Sequence, residues 1–345
     1  MTGPALRLTG VAVRFGQTPG LHGLDLSVAP GERVVLLGAS GSGKTTLLRA
    51  IAGLAPVAAG EIEIGGREVT GLPAESRDAV YLHQTPLLFP HLSVFENVAF
   101  PLRIRRTQEL RVHEAVTRLL GSVRLGEFAD RRPHTLSGGQ RHRVALARAM
   151  AASPRVLLLD EPLAGLDPAL RDEVRVTLLS LQAEYRPALV IVTHDLDDAA
   201  ILGDRVGVLL DGGLAQLDTP ERLFHHPVSL AVARFLGIAN IVPGSVTGDR
   251  FSSAVGCLAV PAGFTPGPAV AVFGADALQL TPDGPIIGSV RDCRYAVDRT
   301  VVRVEVGGLL LEVGAQADQV PARDSQVTLR LELGRVTLFP GGTDV

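Results

Sequence analysis

The chain has 345 residues, room for roughly two domains that each bury a core of their own. Hydrophobic residues make up 46% and charged residues 20%, with a net charge of -3, a composition that excludes disorder as the main state and any strongly basic footprint. The longest apolar stretches, 33–38 and 188–192, fall far short of the ~18 to 20 residues that cross a bilayer, the first residues lack the build of a signal peptide, and Cys257 and Cys293 are too few for a disulfide framework. A cytosolic location is the expectation.

The first informative segment is a β-rich apolar run from Arg33 to Leu37, read as a buried strand, followed by Gly38-Ala39-Ser40-Gly41-Ser42-Gly43-Lys44-Thr45. That octet fits the phosphate-loop spacing of Gly, four residues, Gly-Lys and Ser or Thr, and Thr46 to Ala52 continues with helical spacing until Gly53. Glycines at these places let backbone N–H groups curl around phosphate oxygens, and the helix N-terminus adds partial positive charge. Of the 33 Lys and Arg residues Lys44 is the only lysine, which suits a place that needs a compact ammonium rather than a planar fork; codon bias with one surviving lysine is the alternative on count alone. Gly38, Ser40, Gly41, Ser42, Gly43, Lys44, Thr45 and Thr46 are therefore expected to cradle the phosphates of a nucleoside triphosphate, with Thr45 a ligand of Mg²⁺. A plain strand-to-helix turn is the alternative.

Residues 86–152 read as an inserted helical subdomain, with helical stretches such as Gln108 to Leu120. The basic cluster Arg103, Arg105 and Arg106 reads as a solvated face: residues 1–239 carry 25 basic and 25 acidic groups and 240–345 carry 8 and 11, so no nucleic-acid partner is expected. Near its end, Leu136-Ser137-Gly138-Gly139-Gln140 is a second glycine turn opening a second helix, hence a second potential anion site. Next, Val156 to Leu159 is an apolar strand closed by Asp160 and Glu161. Asp160 suits Mg²⁺ and Glu161 suits a general base for the attacking water, a role worth ~10² to 10⁴ in rate. Acids that merely cap the following turn are the alternative.

With the phosphate loop, Leu-Ser-Gly-Gly-Gln and the acid pair in this order, the chain resembles the ATP-binding-cassette ATPases. The resemblance runs over about 1–235 and implies an α/β phosphate-loop cassette with the helical subdomain inserted, together spanning 1–237. It also implies roles for residues that mean little alone. Gln84 matches the glutamine loop, which contacts Mg²⁺ and the reactive water, Asp167 a loop crossing between subunits, and His194 a switch histidine near the γ-phosphate. Phe15 sits where the family stacks an aromatic on adenine, although an aromatic beside an N-terminal strand also suits a core. In the family Ser137, Gly138, Gly139 and Gln140 close on the nucleotide of a second subunit, which implies a homodimer or pseudo-dimer around two ATP molecules. Leu88 to Val98 looks like the run of bacterial importers in which the helical subdomain meets membrane subunits; burial of Leu88 and Phe89 within the subdomain is the alternative.

From 238 to 345 the texture changes to short Val-rich strands broken by Gly, Pro and Asp, read as a small all-β barrel. It carries an imperfect repeat: Gly244-Ser245-Val246 recurs as Gly288-Ser289-Val290, and 270–284 resembles 327–341. Its place behind the cassette resembles the transport-associated, oligonucleotide-binding-like (OB-like) domain of importer ATPases for polyamines, ferric iron, sulfate and molybdate, which implies a part in dimer contact or regulation; because this half of the sequence holds no metal-spaced His or Cys cluster, dimerisation and packing is expected over ligand sensing. The resemblance as a whole implies an ATPase subunit peripheral to the inner face of the cytoplasmic membrane. It would work with integral permease subunits and, through them, an extracytoplasmic solute-binding protein, on ferric iron or spermidine/putrescine. A soluble ATPase switch that remodels a cytosolic partner is the competing class.

Overall fold

The computed structural model describes residues 3–15, 18–260, 263–295, 300–316 and 320–341, and the side chains of 15, 18 and 19 are outside the description. The chain forms two compact units, 1–220 and 221–345.

The first unit holds two sheets. One is antiparallel in the order β2-β1-β4-β5, built from β1 (Leu6–Phe15), β2 (Thr18–Val28), β4 (Ala59–Ile64) and β5 (Arg67–Glu68). The other has the order β10-β9-β3-β8-β7-β6, from β3 (Arg33–Gly38), β6 (Ala79–Leu82), β7 (Val156–Asp160), β8 (Ala188–Thr193), β9 (Arg205–Leu210) and β10 (Gly213–Asp218). Its strands run parallel except β10, which returns antiparallel beside β9. Val34 to Leu37, Leu157 to Leu159 and Leu189 to Val192 are fully buried, as expected for parallel strands covered on both faces. Helix α1 (Lys44–Ile51) buries Leu47, Leu48 and Ile51 in the core shared by the two sheets.

Residues 86–152 hold α2 (Val94–Ile104), α3 (Glu109–Ser122) and α4 (Gly138–Ala151), which pack on one another. Helix α3 forms because Val112, Val116, Leu119 and Leu120 recur at helical spacing, and all four are buried. Helix α2 starts at a capping box in which Ser93 accepts from the Glu96 N–H while Glu96 accepts from the Ser93 N–H. Leu88 and Phe89 are half-buried, the Phe89 ring lying 4.5 Å from Phe100 with Arg148 over its face, whereas Leu87 is exposed. Helices α5 (Pro168–Tyr185) and α6 (Leu196–Leu202) complete the unit.

The second unit begins with short helices α7 (Pro220–His225) and α8 (Leu230–Phe235). Ala233 packs with Val270 and Val272, so the stretch up to 237 contributes to the hydrophobic packing of this unit. Among the described residues ten strands follow: β11 (Asn240–Thr247), β12 (Arg250–Ser253), β13 (Gly256–Ala259), β14 (Gly267–Phe273), β15 (Leu278–Leu280), β16 (Ile286–Tyr295), β17 (Thr300–Val306), β18 (Leu309–Ala315), β19 (Gln326–Leu331) and β20 (Thr337–Pro340). They form two five-stranded antiparallel sheets, β13-β12-β11-β14-β20 and β15-β19-β16-β17-β18. The sequence repeat is a structural one: β11 to β14 and β16 to β19 make the same four-stranded pattern, with Gly244 and Gly288 in matching central strands. After each fourth strand a short 3₁₀ turn carries the chain into a fifth that pairs in the other half's sheet. The result is a curled, OB-like all-β unit around one core. Buried Asn240 ties the sheets together, accepting from the Glu312 N–H at 2.8 Å and donating to the Glu312 carbonyl at 2.9 Å.

A candidate nucleotide site at the ends of the parallel strands

Four neighbouring parallel strands end on the same edge of the second sheet, and each delivers a candidate residue there. Strand β3 runs into the phosphate loop, β8 into His194, β7 into Asp160 and Glu161, and β6 into Gln84. Convergence of this kind outside the carboxyl ends of parallel strands is where α/β folds place ligands.

The loop needs its glycines. Gly43 has φ +95°, and a Cβ there would lie 2.8 Å from the Leu21 side chain, so both backbone conformation and space exclude a larger residue. Lys44 is 7% exposed, and its ammonium donates to the carbonyls of Gly38 at 2.6 Å and Ala39 at 3.0 Å. Burial pushes that ammonium below its usual range, against the opposing pull of the nearby Glu161 and Asp160 carboxylates. Thr45, at the start of α1, donates through Oγ1 to Asp160 Oδ1 at 2.9 Å. The other oxygen, Oδ2, accepts from the Tyr81 hydroxyl at 2.6 Å. Burial first, and the bond to Asp160 next, push the Tyr81 phenol up to about 12. The Thr45 hydroxyl and Asp160 carboxylate are hard oxygen donors placed together beside the glycine loop, a donor set that fits Mg²⁺.

Glu161 sits at φ +46°, in the left-handed region, and its N–H donates to the Val192 carbonyl. His194 Nδ1 is 3.1 Å from Glu161 Oε1. The turn bearing His194 is braced from below. Asp195 caps α6, Arg171 donates to Asp195 at 2.7 Å, and Arg175 donates to buried Asp198 at 2.7 Å. Burial would raise the Asp195 carboxyl, but the Asp198 N–H and Arg171 outweigh it and hold it below the usual range.

The glycine turn at 137–140 is a helix start. Ser137 caps α4, accepting from the Gln140 N–H, while the Gln140 side chain accepts from the Ser137 N–H. A Cβ at Gly139 would run into the Leu170 side chain. Leu170 is itself set by Asp167, which caps α5 by accepting from the Leu170 N–H at 3.0 Å. The two turns are therefore packed together. Among the described residues no hydrogen bond or ion pair joins 137–140 to the phosphate loop; the link is to the glutamine loop, with His142 Nδ1 3.0 Å from the Gly138 carbonyl and Nε2 3.4 Å from the Gln84 carbonyl. Gln84 itself is exposed. The Phe15 side chain lies outside the described residues.

The profile of the ABC transporter family matches residues 21–164. The spermidine/putrescine import ATP-binding protein of Chromobacterium violaceum is 39% identical over 333 residues, 92% of this chain and 92% of that protein. This chain belongs to the ABC transporter family. The Fe(3+) ions import ATP-binding protein of Brucella melitensis is 39% identical over 93% of this chain and 94% of its own length. The sn-glycerol-3-phosphate import ATP-binding protein of Cereibacter sphaeroides is 43% identical over 70% of each. Membership makes the first unit an ATP-binding, ATP-hydrolysing cassette.

Sequence reasoning missed Tyr81, His142 and the Arg171 and Arg175 braces. No local signal marks Tyr81 in the sequence: it pairs with Leu158 in the parallel register, two residues before Asp160, so both side chains leave the sheet on one face, and only the strand pairing brings them together.

Proposed function

We propose that this chain is the ATP-hydrolysing subunit of an importer, energising passage of ferric iron or spermidine/putrescine across the cytoplasmic membrane from its inner face. The observation that carries the reading is that relatives named for these solutes align through both compact units, 92–93% of the chain, rather than through the nucleotide site alone. In this reading the cassette spans 1–237 and the OB-like domain 238–345.

The geometry suggests how the residues work. The N–H groups from Gly41 to Thr46 surround the phosphates, with Gly38 and Ser40 shaping the loop. Lys44 exchanges its bonds to the Gly38 and Ala39 carbonyls for terminal phosphate oxygens. Thr45 and Asp160, with Gln84, would hold Mg²⁺, which would supply neutralisation of charge on the phosphates. Glu161 takes a proton from the attacking water, and His194, bonded to Glu161, fixes that carboxylate toward the γ-phosphate. Ser137, Gly138, Gly139 and Gln140 face the nucleotide of a second cassette, and Asp167 crosses beside them. Membership in the family implies membrane permease subunits as partners; a homodimer of cassettes and a solute-binding protein outside the membrane complete the proposed assembly. Phe15 is assigned to the adenine.

The test is to pull the tagged chain from detergent-solubilised native membranes, identify co-purifying proteins by mass spectrometry, and measure uptake of labelled spermidine and ferric iron in a strain lacking the chain. A polytopic subunit and loss of one uptake are expected. Recovery of soluble partners alone, with both uptakes intact, refutes the importer.

A further inference from the structure

We propose that Tyr81 is a positioning residue for the magnesium site: its hydroxyl pins one oxygen of Asp160 and so turns the other toward Thr45, where the cation carried by the nucleotide is taken up. The inference rests on the assignment of Thr45 and Asp160 given above.

The two hydroxyls divide the carboxylate between them. Tyr81 donates to Oδ2 at 2.6 Å from strand β6, and Thr45 donates to Oδ1 at 2.9 Å from the start of α1. Asp160 is 8% exposed, so its charge depends on such donors rather than on water. The Tyr81 bond is fixed by the strand register, because Tyr81 and Asp160 lie on one face of neighbouring strands. The Thr45 bond differs in kind, since its hydroxyl belongs to the loop that meets the phosphates. When Thr45 turns its oxygen to a cation, Tyr81 is the donor that still holds Asp160. Without that hydroxyl the carboxylate is free to rotate about its last bond and to bond Thr45 with either oxygen, in competition with the cation. Groups that orient a metal-binding carboxylate in this way are typically worth ~10- to 100-fold in metal affinity.

Tyr81→Phe isolates the effect, because the phenyl ring keeps its packing against the core and its edge contact with His83 at 4.5 Å. The experiment uses full-length chain carrying Glu161→Gln, so that bound ATP is not turned over. Mn²⁺ serves as the probe and is titrated by electron paramagnetic resonance in the presence of ATP; ATP binding in EDTA and the thermal midpoint are measured alongside. The expected result is a Mn²⁺ dissociation constant raised about tenfold, with metal-free ATP binding and the midpoint unchanged. Tyr81→Leu, which removes ring and hydroxyl together, is expected to match the Mn²⁺ shift. Unchanged Mn²⁺ affinity in Tyr81→Phe overturns the proposal, as does a parallel fall in metal-free ATP binding, or a shift confined to Tyr81→Leu. If the otherwise wild-type chain neither hydrolyses ATP nor binds it more tightly with Mg²⁺, the functional reading itself fails. If it does both while Tyr81→Phe is silent, only the role of Tyr81 is lost.

Discussion

Asn97→Ala measures how much of the helical subdomain hangs on one buried amide. Asn97 is 0% exposed, and its side chain accepts from the Phe89 N–H at 2.8 Å and donates to the carbonyls of Phe89 at 3.1 Å, Leu92 at 3.2 Å and Ser93 at 2.9 Å. The Phe89 and Ser93 carbonyls keep second partners, the N–H groups of Leu92 and Asn97. The variant therefore strands mainly the Phe89 N–H and the Leu92 carbonyl. At ~1 to 2 kcal/mol for each group left without its partner, the cost is about 3 kcal/mol. For a unit of this size each kcal/mol moves the midpoint by ~2 to 4 °C, so a fall of about 9 °C is expected. The sequence contains no tryptophan, so unfolding is best followed by calorimetry or far-ultraviolet circular dichroism, and the transition of the first unit is the one to read. Asn97→Asp keeps the acceptor but turns an oxygen toward three carbonyls, and is expected to be no milder. A fall of less than about 2 °C in Asn97→Ala would show that the loop from 88 to 93 is held by other contacts.

Glu161→Gln is expected to lower steady-state ATP hydrolysis by ~10² to 10⁴ while ATP still binds, checked by phosphate release and a fluorescent ATP analogue; unimpaired hydrolysis would place the base elsewhere. Gly43→Ala forces a Cβ against Leu21 at a backbone of φ +95°, and should weaken ATP binding by about tenfold, ~1.4 kcal/mol, in the same binding assay. Asp204 is held below the usual carboxylate range by the Arg33 side chain, so it stays ionised to lower pH in the folded chain than in the unfolded one. The stabilisation it contributes is complete above the unfolded value of about 4 and is lost as pH falls through the lowered one. Because this carboxylate is 43% exposed, Asp204→Asn should cost only about 1 kcal/mol at neutral pH, and progressively less as pH falls below the unfolded value, read from urea midpoints across pH.

What could be read from the sequence was what local spacing encodes. The phosphate loop was legible because Gly43 and Lys44 report backbone geometry at fixed offsets, and α3 because its four buried residues keep one face. The acid pair was legible as an apolar strand with a charged end. Tyr81 was not, because its meaning depends on which strand lies beside β6 and in what register. Nothing in local spacing sets Arg171 and Arg175 apart from other charges on a helix; only the approach of α6 turns them into braces for the turn that carries His194. Asn97 resembled any polar residue of an amphipathic helix until the preceding loop folded over it. The repeat in the last hundred residues was visible, yet the trading of fifth strands was not, since pairing between segments so far apart leaves no local mark.

That trade sets an order of events during synthesis. Strand β20 completes the first sheet by pairing with β14, where Val270 lies beside Phe339 and Ala271 beside Leu338. The early half therefore waits, with an open strand edge, until residues 337–340 have left the ribosome. A ribosome that stalls before them releases a chain whose defect appears at β14, far upstream of the break, as an unprotected edge available to chaperones or to other nascent chains.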